Sequence, residues 1–556
     1  MENVNALTDI PLLITVNGRL SVREALLNAH IPESKYEMGT SPAPVILDKN
    51  VPGYVYGAEL RLLTAVTAIV LRYYSACDKD VLQIPTSEIL THGLSPENID
   101  KALLKLIPGS FLFDDTQPFM QQPAKPNTPK SPGKLKKLLP SMLSDKGEEF
   151  WNMLTQQDTL SLADAALYLL VYHYYSPAGN SKYAGQKAKM GSPGFHFVGT
   201  KMTATELIWK GKSLLHTLLA MIPRNWVEGD GLPAWADRDG SRSRSEHPLW
   251  RATWSSNSAV CYWKNDRLIG VEIGGIPLKW LPKEAGIRAE TESATESATE
   301  STTNSKKSKK KDFLKEYWDM RNQSDPFYLY LANKSGKLQA QRMDINRNAT
   351  DLAVEWAANG KIAEAAKAYD RILSPSDCRL LFIQHYIDGT SSSPVIRYSH
   401  VLVADPQLWS FGLSERAQNQ VKQHANFIQK LHYCVTQPFH RAQNTNSNLG
   451  NTLPTVLDSL TEYRSSVSDI FWRAMTTSYE EFLAQASVEE KRPTEIIAAR
   501  DTAAQIALQA FNEAIAPYRN QDPALFAAVY SNVNHHINFI KKEFAISTSE
   551  RRSNSE

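Results

Sequence analysis

Cysteine is scarce in this chain, and no two cysteines are close together. Among 556 residues the only cysteines are Cys77, Cys261, Cys378 and Cys434. A disulfide scaffold needs a much higher density of cysteine, and a cysteine zinc site needs pairs separated by roughly two to four residues. The sequence therefore excludes both kinds of site. We expect a reduced, intracellular protein.

The chain also lacks a net charge and a long hydrophobic run. It has 61 Lys and Arg against 59 Asp and Glu, a net charge of +2, so no overall basic field points to a nucleic-acid partner. The longest apolar stretches, such as Leu62–Leu71, fall short of the ~20 residues that span a bilayer. The N-terminus has no basic segment followed by an apolar run, so we expect no signal peptide. These features predict a cytoplasmic protein that binds no membrane.

Motifs of enzymatic chemistry are missing as well. The segment Lys210–Ser213 ends like a phosphate-binding loop, but Glu206 occupies the position of its first glycine. No HExxH zinc motif and no GxSxG nucleophile motif occurs. His535 and His536 are adjacent, so a helix would point them in different directions rather than at one metal ion. We expect a protein that is not an enzyme and that holds no metal and no cofactor.

Residues 1–405 combine helical and strand patterns with long irregular segments. Ser21 and Glu24 form a capping-box pattern. Apolar residues at helical spacing predict helices over Tyr56–Cys77, Leu160–Tyr175 and Leu207–Ile222. Strands are predicted at Ala259–Trp263, Leu268–Ile273 and Phe327–Leu331. The predicted fold class is α+β, in which a large irregular mixed domain covers residues 1–405.

The second part of the chain, residues 406–546, is predicted to be a four-helix bundle. Amphipathic helical patterns cover four segments, which are Ser414–Arg441, Thr455–Ala486, Thr494–Ala516 and Pro523–Phe544. Residues 547–556 are predicted to be a disordered tail. Within the first part, Ala289–Lys311 repeats Thr-Glu-Ser and Ala before a lysine block. Such a segment cannot bury a core, and we interpret it as a disordered insertion whose simplest role is that of a solvated spacer.

Basic residues are concentrated in three segments of the first domain. Residues 116–144 contain five lysines and no acidic residue, and residues 165–205 contain a glycine-rich, lysine-rich loop and no acidic residue. Arg242, Arg244 and Arg251 form a third cluster beside Trp250 and Trp254. Each cluster alone is more often a solvated surface. Because acid-free lysines suit phosphates and glycines let the backbone approach a ligand, the three together indicate a nucleic-acid surface.

Several of these segments also carry a family resemblance. The opening Ile10–Leu26, the segment Gln117–Gln121, the glycine-rich loop, the segment Leu232–Trp254 and the helical C-terminal part occur in the same order in the CasA family. CasA proteins are large subunits of type I-E CRISPR Cascade complexes. The resemblance implies a non-catalytic DNA-recognition subunit, which reads the short flanking motif called the PAM while the guide RNA reads the target.

The resemblance implies roles for particular residues. It implies that the glycine loop and a lysine after the insertion bind the DNA and its PAM. These residues are Gly179, Asn180, Lys182, Gly185, Lys187, Lys189 and Lys315. A wedge that opens the duplex falls on a loop containing Asp388, Gly389, Thr390, Ser391 and Ser392, where small hydroxyl residues replace the amide residues usual in the family. Contact with the guide-RNA handle region falls on Phe150 and Asn152. Some relatives hold zinc through a cysteine cluster, but here the lysine-rich insertion occupies that region, so no metal site is expected.

The same resemblance implies the partners. They are the guide-RNA-bearing Cascade subunits (handle-binding, backbone and small), target double-stranded DNA, and a helicase-nuclease that degrades the DNA. Two alternatives stay open from the sequence. The chain could be a Cascade-like subunit repurposed for transposition or for a nuclease on a partner chain, or a helical scaffold that binds no DNA. A steep fall of duplex affinity with salt would distinguish a DNA-binding subunit from a scaffold.

Overall fold

The computed structural model describes most of the chain and divides it into two compact units. The described residues are 3–36, 42–74, 83–123, 133–141, 158–176, 192–196, 203–242, 246–277, 280, 323–332, 335–336, 338–344, 347–390, 393–403, 414–439, 463–488 and 492–545. The N-terminal unit comprises residues 1–343 and 369–403, and the C-terminal unit comprises residues 344–368 and 404–556.

The N-terminal unit mixes helices and antiparallel strands, which confirms the mixed helix and strand composition expected from the sequence. Its described helices are α1 (Val22–Asn28), α2 (Gly53–Leu71), α3 (Thr86–His92), α4 (Pro96–Lys105), α5 (Leu162–Tyr175), α6 (Leu214–Met221), α7 (Arg224–Val227) and α8 (Pro248–Thr253). Its described strands are β1 (Leu13–Thr15), β2 (Gly18–Leu20), β3 (Glu206–Lys210), β4 (Asn257–Lys264), β5 (Arg267–Gly275), β6 (Tyr330–Ala332), β7 (Leu338–Ala340), β8 (Arg379–Thr390) and β9 (Ser393–Val403).

The chain enters α1 through the capping box predicted from the sequence. The Ser21 hydroxyl accepts a hydrogen bond from the Glu24 amide at 3.2 Å, and the Glu24 carboxylate accepts one from the Ser21 amide at 2.8 Å. Just before it, Gly18 has φ +115°, a value that suits glycine in the tight β1–β2 turn. The strand, turn and helix at the start of the chain are thus specified locally.

Helix α2 forms the centre of the N-terminal unit. It is long and apolar enough to cross a membrane by length and composition alone, but all of its 19 residues are buried inside the unit. Its glycines allow close packing: a Cβ atom at Gly57 would lie 1.9 Å from the Tyr175 hydroxyl, and one at Gly53 would lie 2.7 Å from Ile383 Cγ2. Side chains at these two positions would push α5 and β8 away from the helix.

The sequence prediction of one helix over Leu207–Ile222 is wrong at its start. Glu206–Lys210 is β3, which pairs antiparallel with β8 and places Leu207 opposite Phe382. Helix α6 begins only after Ser213, whose hydroxyl accepts a hydrogen bond from the His216 amide at 3.2 Å. A short apolar run such as Leu207–Trp209 fits a buried strand or a buried helix equally well, so periodicity could not separate them.

The C-terminal unit is helical in its described part. Its helices are α9 (Ala349–Ala358), α10 (Lys361–Lys367), α11 (Glu415–Thr436), α12 (Tyr463–Val488), α13 (Pro493–Arg519) and α14 (Pro523–Glu543). The four long helices, α11 to α14, pack against one another, and α9 packs against α11 and α12. The amphipathic periodicity of the sequence therefore located these four helices, and residues 455–462, predicted as the start of α12, lie outside the described residues.

Helix α9 lies in the C-terminal unit, whereas the sequence assigned its residues to the first domain. Its Thr350 hydroxyl lies 2.6 Å from the Thr476 hydroxyl of α12, and the Asn426 amide of α11 donates to the Ala358 carbonyl at 3.3 Å. Leu352 and Trp356 are buried. The chain thus enters the C-terminal unit, returns to form β8 and β9, and enters it again.

The buried carboxyl of Glu59 in α2 gives a pH-dependent stability. Its Oε1 accepts a hydrogen bond from the Ile14 amide at 2.7 Å, while Oε2 has no partner among the described residues. Burial raises the pKa of Glu59 to about 8. Between the ordinary carboxyl pKa and this value the folded chain binds more protons than the unfolded chain, so stability falls as pH rises through this range.

We expect Glu59→Gln to remove this part of the pH dependence. One pKa unit corresponds to about 1.4 kcal/mol, so the variant should gain on the order of 4 kcal/mol over wild type between pH 5 and pH 9. Urea unfolding at a series of pH values measures the difference. Glu97→Gln, at an exposed position on α4, is the control and should follow wild type. Parallel pH profiles of Glu59→Gln and wild type would contradict the assignment.

Phe544 holds the C-terminal end of α14 against α11 and α13. The Arg500 guanidinium of α13 lies 5.6 Å from the Phe544 ring centroid and donates a hydrogen bond to the Phe544 carbonyl. The Lys430 ammonium of α11 lies 5.1 Å from the same ring, and the Phe427 ring packs edge-on against it at 5.5 Å. One aromatic side chain therefore joins three helices.

Replacement of Phe544 by alanine should loosen α14 within the full chain. Lost ring and cation contacts of this kind correspond to about 1–2 kcal/mol, or roughly a five- to thirty-fold faster hydrogen exchange of the α14 amides. Phe539→Ala is the matched control because Phe539 lies on the same helix and is 63% exposed. Equal exchange rates in the two variants would show that Phe544 does not fasten the helix.

Candidate nucleic-acid interface

A long β-hairpin lies where the sequence predicts the duplex-opening wedge. Strands β8 and β9 pair antiparallel from Leu381–Val403 to Thr390–Ser393. Strand β3 pairs with Arg379 to Ile383 of β8 and so braces the base of the hairpin. At about 3.3 Å per residue, the 12 residues of β8 extend roughly 40 Å. The last pair of the ladder, towards the tip of the hairpin, is Thr390 and Ser393.

The predicted wedge loop is shorter than the sequence suggested. Asp388, Gly389 and Thr390 belong to β8 and pair with Val395, Pro394 and Ser393 of β9, in that order. Ser391 and Ser392 lie outside the described residues. Asp, Gly and Ser favour turns, which is why the sequence placed the whole segment in a loop. Pairing with the second strand extends the hairpin further than these local preferences indicate.

The inner face of the hairpin is attached to the core. His385 and Ser399 lie opposite each other, and His385 Nδ1 is 2.8 Å from the Ser399 hydroxyl. That hydroxyl accepts a hydrogen bond from the Tyr54 amide of α2 at 2.8 Å. His385 Nε2 lies 3.4 Å from Oε2 of Glu206. The hairpin is thereby tied to both α2 and β3.

Glu206 belongs to a buried ion network centred on Arg61 of α2. Arg61 Nη2 donates to Glu206 Oε1 at 2.6 Å, and Arg61 Nη1 donates to Asp325 Oδ2 at 2.9 Å. The Tyr175 hydroxyl donates to Glu206 Oε2 at 2.8 Å. Burial alone would raise the pKa of Glu206, but the attraction of Arg61 and the hydrogen bonds hold it below its ordinary value. Glu206 is therefore an ionised acceptor for three surrounding side chains.

The predicted glycine-rich DNA loop starts and ends at this network. Tyr175 is the last residue of α5, and Ser176 follows it. The Ser176 hydroxyl lies 2.6 Å from the Ser192 hydroxyl, and the Gly194 amide donates to the Tyr174 carbonyl at 2.7 Å. The two ends of the segment 177–191 are thus held together at the end of α5.

The residues expected to touch nucleic acid lie mostly outside the described part of the chain. These are Gly179, Asn180, Lys182, Gly185, Lys187 and Lys189 of the glycine loop, Lys315 after the insertion, and Phe150 and Asn152 of the handle-contacting segment. Their roles remain predictions. Among the described residues, no group of three His, Cys, Asp or Glu side chains is placed to hold a metal ion.

The third basic cluster lies beside two tryptophans that belong to the core. Trp250 and Trp254 are buried, and their indole nitrogens donate to the carbonyls of Asp237 at 2.8 Å and Trp280 at 3.1 Å. Arg242 donates to the Lys105 carbonyl at 3.0 Å. The two tryptophans are therefore core residues. Arg244 lies outside the described residues.

The segment Gln117–Gln121, which carries the most specific part of the resemblance, is a packing element. Phe119 is buried edge-on against Trp235, with ring centroids 6.1 Å apart. The Gln121 amide group donates to the Leu112 carbonyl at 2.9 Å, and the next residue, Gln122, donates to the Gly275 carbonyl of β5 at 3.0 Å. The sequence identified this segment but gave no indication that it is buried.

Comparison with known proteins identifies the family. The family model for CRISPR-associated protein Cse1 matches residues 54–510. The chain belongs to the Cse1 family. The solved Thermus thermophilus protein carries both names, CasA and Cse1, so the resemblance to the CasA family found in the sequence is confirmed.

Solved Cse1 structures share the fold over nearly the whole length of this family member. Thermus thermophilus CasA (Cse1) is 16% identical, with 98% of this chain and 99% of that chain covered and a TM-score of 0.55. Thermobifida fusca Cse1 is 14% identical, with 98% and 97% covered and a TM-score of 0.57. A chain of a solved "CRISPR RNA-guided surveillance complex" is 14% identical, with 96% and 99% covered and a TM-score of 0.58. A search of curated proteins found no match.

Removal of Arg61 should destabilise the Cse1 fold strongly. Arg61→Met leaves Glu206 and Asp325 as buried carboxylates without their cation, which typically destabilises a protein by about 3–5 kcal/mol. Urea unfolding of the full chain measures the loss. The matched control is Arg23→Met, because Arg23 pairs with Asp100 at the surface at 2.7 Å and such pairs contribute about 1 kcal/mol or less. Similar losses in both variants would contradict a special role for the buried network.

Proposed function

We propose that this chain is the large, PAM-recognising subunit of a type I-E-like CRISPR Cascade complex. In this function it is not an enzyme. It recognises the PAM in double-stranded DNA, opens the duplex so that an R-loop can start, and helps to recruit a helicase-nuclease. The proposal is supported by membership of the Cse1 family and by the shared fold with a chain of a CRISPR RNA-guided surveillance complex.

One observation supports the proposal most directly. The hairpin that ends at the predicted wedge and the segment that contains the predicted glycine loop are both anchored at Glu206. His385 of β8 contacts this carboxylate from one element, and Tyr175 of α5 donates to it from the other. Two predicted DNA-binding elements that are about 200 residues apart in sequence are therefore attached to the same buried carboxylate.

Recognition in this proposal depends on backbone and charge more than on base-specific side chains. Gly179 and Gly185 would allow the backbone to enter the minor groove, which is only about 6 Å wide. Lys182, Lys187 and Lys189 would neutralise phosphates and fix the register of the duplex. Lys315 would enter the same groove from the segment after the insertion. The minor groove presents a degenerate code, so groove width contributes to the selection.

The hairpin tip would then separate the first base pair beside the PAM. Unstacking a base step requires a few kcal/mol, and pairing of the target strand with the guide RNA offsets this because the new heteroduplex is about as stable as the duplex it replaces. Ser391 and Ser392 have small side chains, so the wedge would act through the bulk of the turn itself. The anchoring of β8 and β9 to α2 and β3 provides the rigidity that a wedge needs.

The remaining parts of the chain would bind the complex. Phe150 and Asn152 would contact the handle region of the guide RNA, and the C-terminal unit, as a four-helix bundle, would face the displaced strand and the neighbouring subunits. The partners would be the handle-binding, backbone and small subunits, and the location would be the cytoplasm. No metal or cofactor is required by any of these steps.

The first experiment compares target binding by the reconstituted guide-RNA complex with and without this protein. The target sequence is fixed and the three flanking base pairs are randomised. We expect that binding requires the protein and that the bound population is enriched in particular flanks. Binding that needs the protein but shows no flank preference would contradict PAM recognition and favour a scaffold role.

A second experiment tests the glycine-loop lysines. In the triple variant Lys182→Ala, Lys187→Ala and Lys189→Ala, the plot of log affinity against log salt concentration should become shallower by about 0.9 for each lost phosphate contact. Lys101→Ala is the matched control, since Lys101 pairs with Glu97 on the exposed surface of α4. An unchanged salt slope in the triple variant would show that these lysines do not contact phosphates.

A further inference from the structure

The outer face of the β8–β9 hairpin carries a row of three aromatic side chains. Tyr386 and Tyr398 lie opposite each other with ring centroids 5.7 Å apart, and the Tyr398 and His400 rings stack at 5.9 Å with an interplanar angle of 17°. Tyr386 is 36% exposed and Tyr398 is 59% exposed. We call Tyr386, Tyr398 and His400 the aromatic row.

The aromatic row is held in place from behind. His385 and Ser399, which alternate with these residues along the strands, point inward to Glu206 and Tyr54. A register shift between Tyr386 and Ile387 leaves Arg397 as an additional residue of β9 beside Tyr398. Such a bulge increases the local twist and redirects side chains. The rings are therefore exposed on a rigid support.

The charge around the aromatic row suits a polyanion. Strand β9 contains Arg397 and His400 and no acidic residue, and the only acidic residue of β8 is Asp388. Exposed aromatic rings next to basic groups are the combination by which proteins bind single-stranded nucleic acid, because every base has a face that can stack. A surface that stacks bases without reading them is needed for a strand whose sequence changes with every target.

We infer that the aromatic row stacks bases of the displaced DNA strand. This inference rests on the proposed function. The target strand pairs with the guide RNA, so its bases are enclosed in a heteroduplex, whereas the displaced strand has free base faces. Tyr386 lies four residues from Thr390 at the tip, or about 13 Å along the strand. A displaced strand that keeps the 3.4 Å spacing of the duplex covers this distance in about four nucleotides, so we place the stacked bases about four nucleotides beyond the point of opening.

The test uses the full chain in the reconstituted guide-RNA complex. We expect the double variant Tyr386→Ala and Tyr398→Ala to weaken binding to a fully complementary duplex target by about ten-fold or more. The same variant should bind normally to a target from which the displaced strand has been removed beyond the flank. The double variant Tyr386→Phe and Tyr398→Phe keeps both rings and should bind within two-fold of wild type.

The position of stacking is measured with abasic sites moved along the displaced strand. An abasic site about four nucleotides from the point of opening should weaken wild type and leave the alanine variant unaffected. Tyr36→Ala, at a 36% exposed tyrosine of the N-terminal unit, is the matched control and should behave as wild type on every target. Incorporation of each variant into the complex is measured in parallel.

Three results would overturn the inference. The first is an equal loss on targets with and without the displaced strand, and the second is no loss on either. The third is a failure of the alanine variant to enter the complex while the phenylalanine variant enters it, which would make the row a contact for a neighbouring subunit. If wild type itself selects no flank, the proposed function fails. If wild type selects a flank and the alanine variant is unchanged, only the inference fails.

Discussion

The guanidinium of Arg61 is the charge around which the N-terminal unit is assembled. It lies in α2, a helix without exposed residues, and it binds Glu206 of β3 and Asp325 in the segment before β6. The Phe327 ring covers it at 4.1 Å from the ring centroid. Desolvating such charges is expensive unless all of them are paired with good geometry. The network therefore adds little to the net free energy of folding. It strongly favours the one arrangement in which every buried charge has its partner.

This arrangement determines where the functional elements begin. Glu206 is contacted by Tyr175, where α5 ends, and by His385, in the middle of β8. Gly57 provides the space for the Tyr175 hydroxyl, and Gly53 provides the space for Ile383 and Ser399. A displacement of α2 would therefore move the base of the glycine-rich segment and the base of the hairpin together. In the function proposed for this chain, the segment that recognises the groove and the hairpin that separates the strands are therefore positioned by the same buried network.

The sequence predicted local features well and long-range ones poorly. The capping box at Ser21 and the four long C-terminal helices depend on residues three or four positions apart, which periodicity and capping rules capture. The resemblance predicted a hairpin turn near Asp388 but not the length of the paired strands. Strand β3 was taken for a helix, and the Arg61 network was not predicted. Arg61 is 145 residues from Glu206 and 264 residues from Asp325, and no local pattern in the sequence indicates such pairing.

The closure of the segment 177–191 by Ser176 and Ser192 has a consequence for how such subunits diverge. Both ends are fixed by hydrogen bonds to each other and to the neighbouring backbone, so the folded unit constrains the end points of the segment. Closing a flexible loop of twice the length costs only about 0.6 kcal/mol more. For a flexible loop, a change in the number of residues between the two serines therefore adds little loop-closure cost. In the function proposed for this chain, flank preference could change with this segment while its two attachment points stay the same.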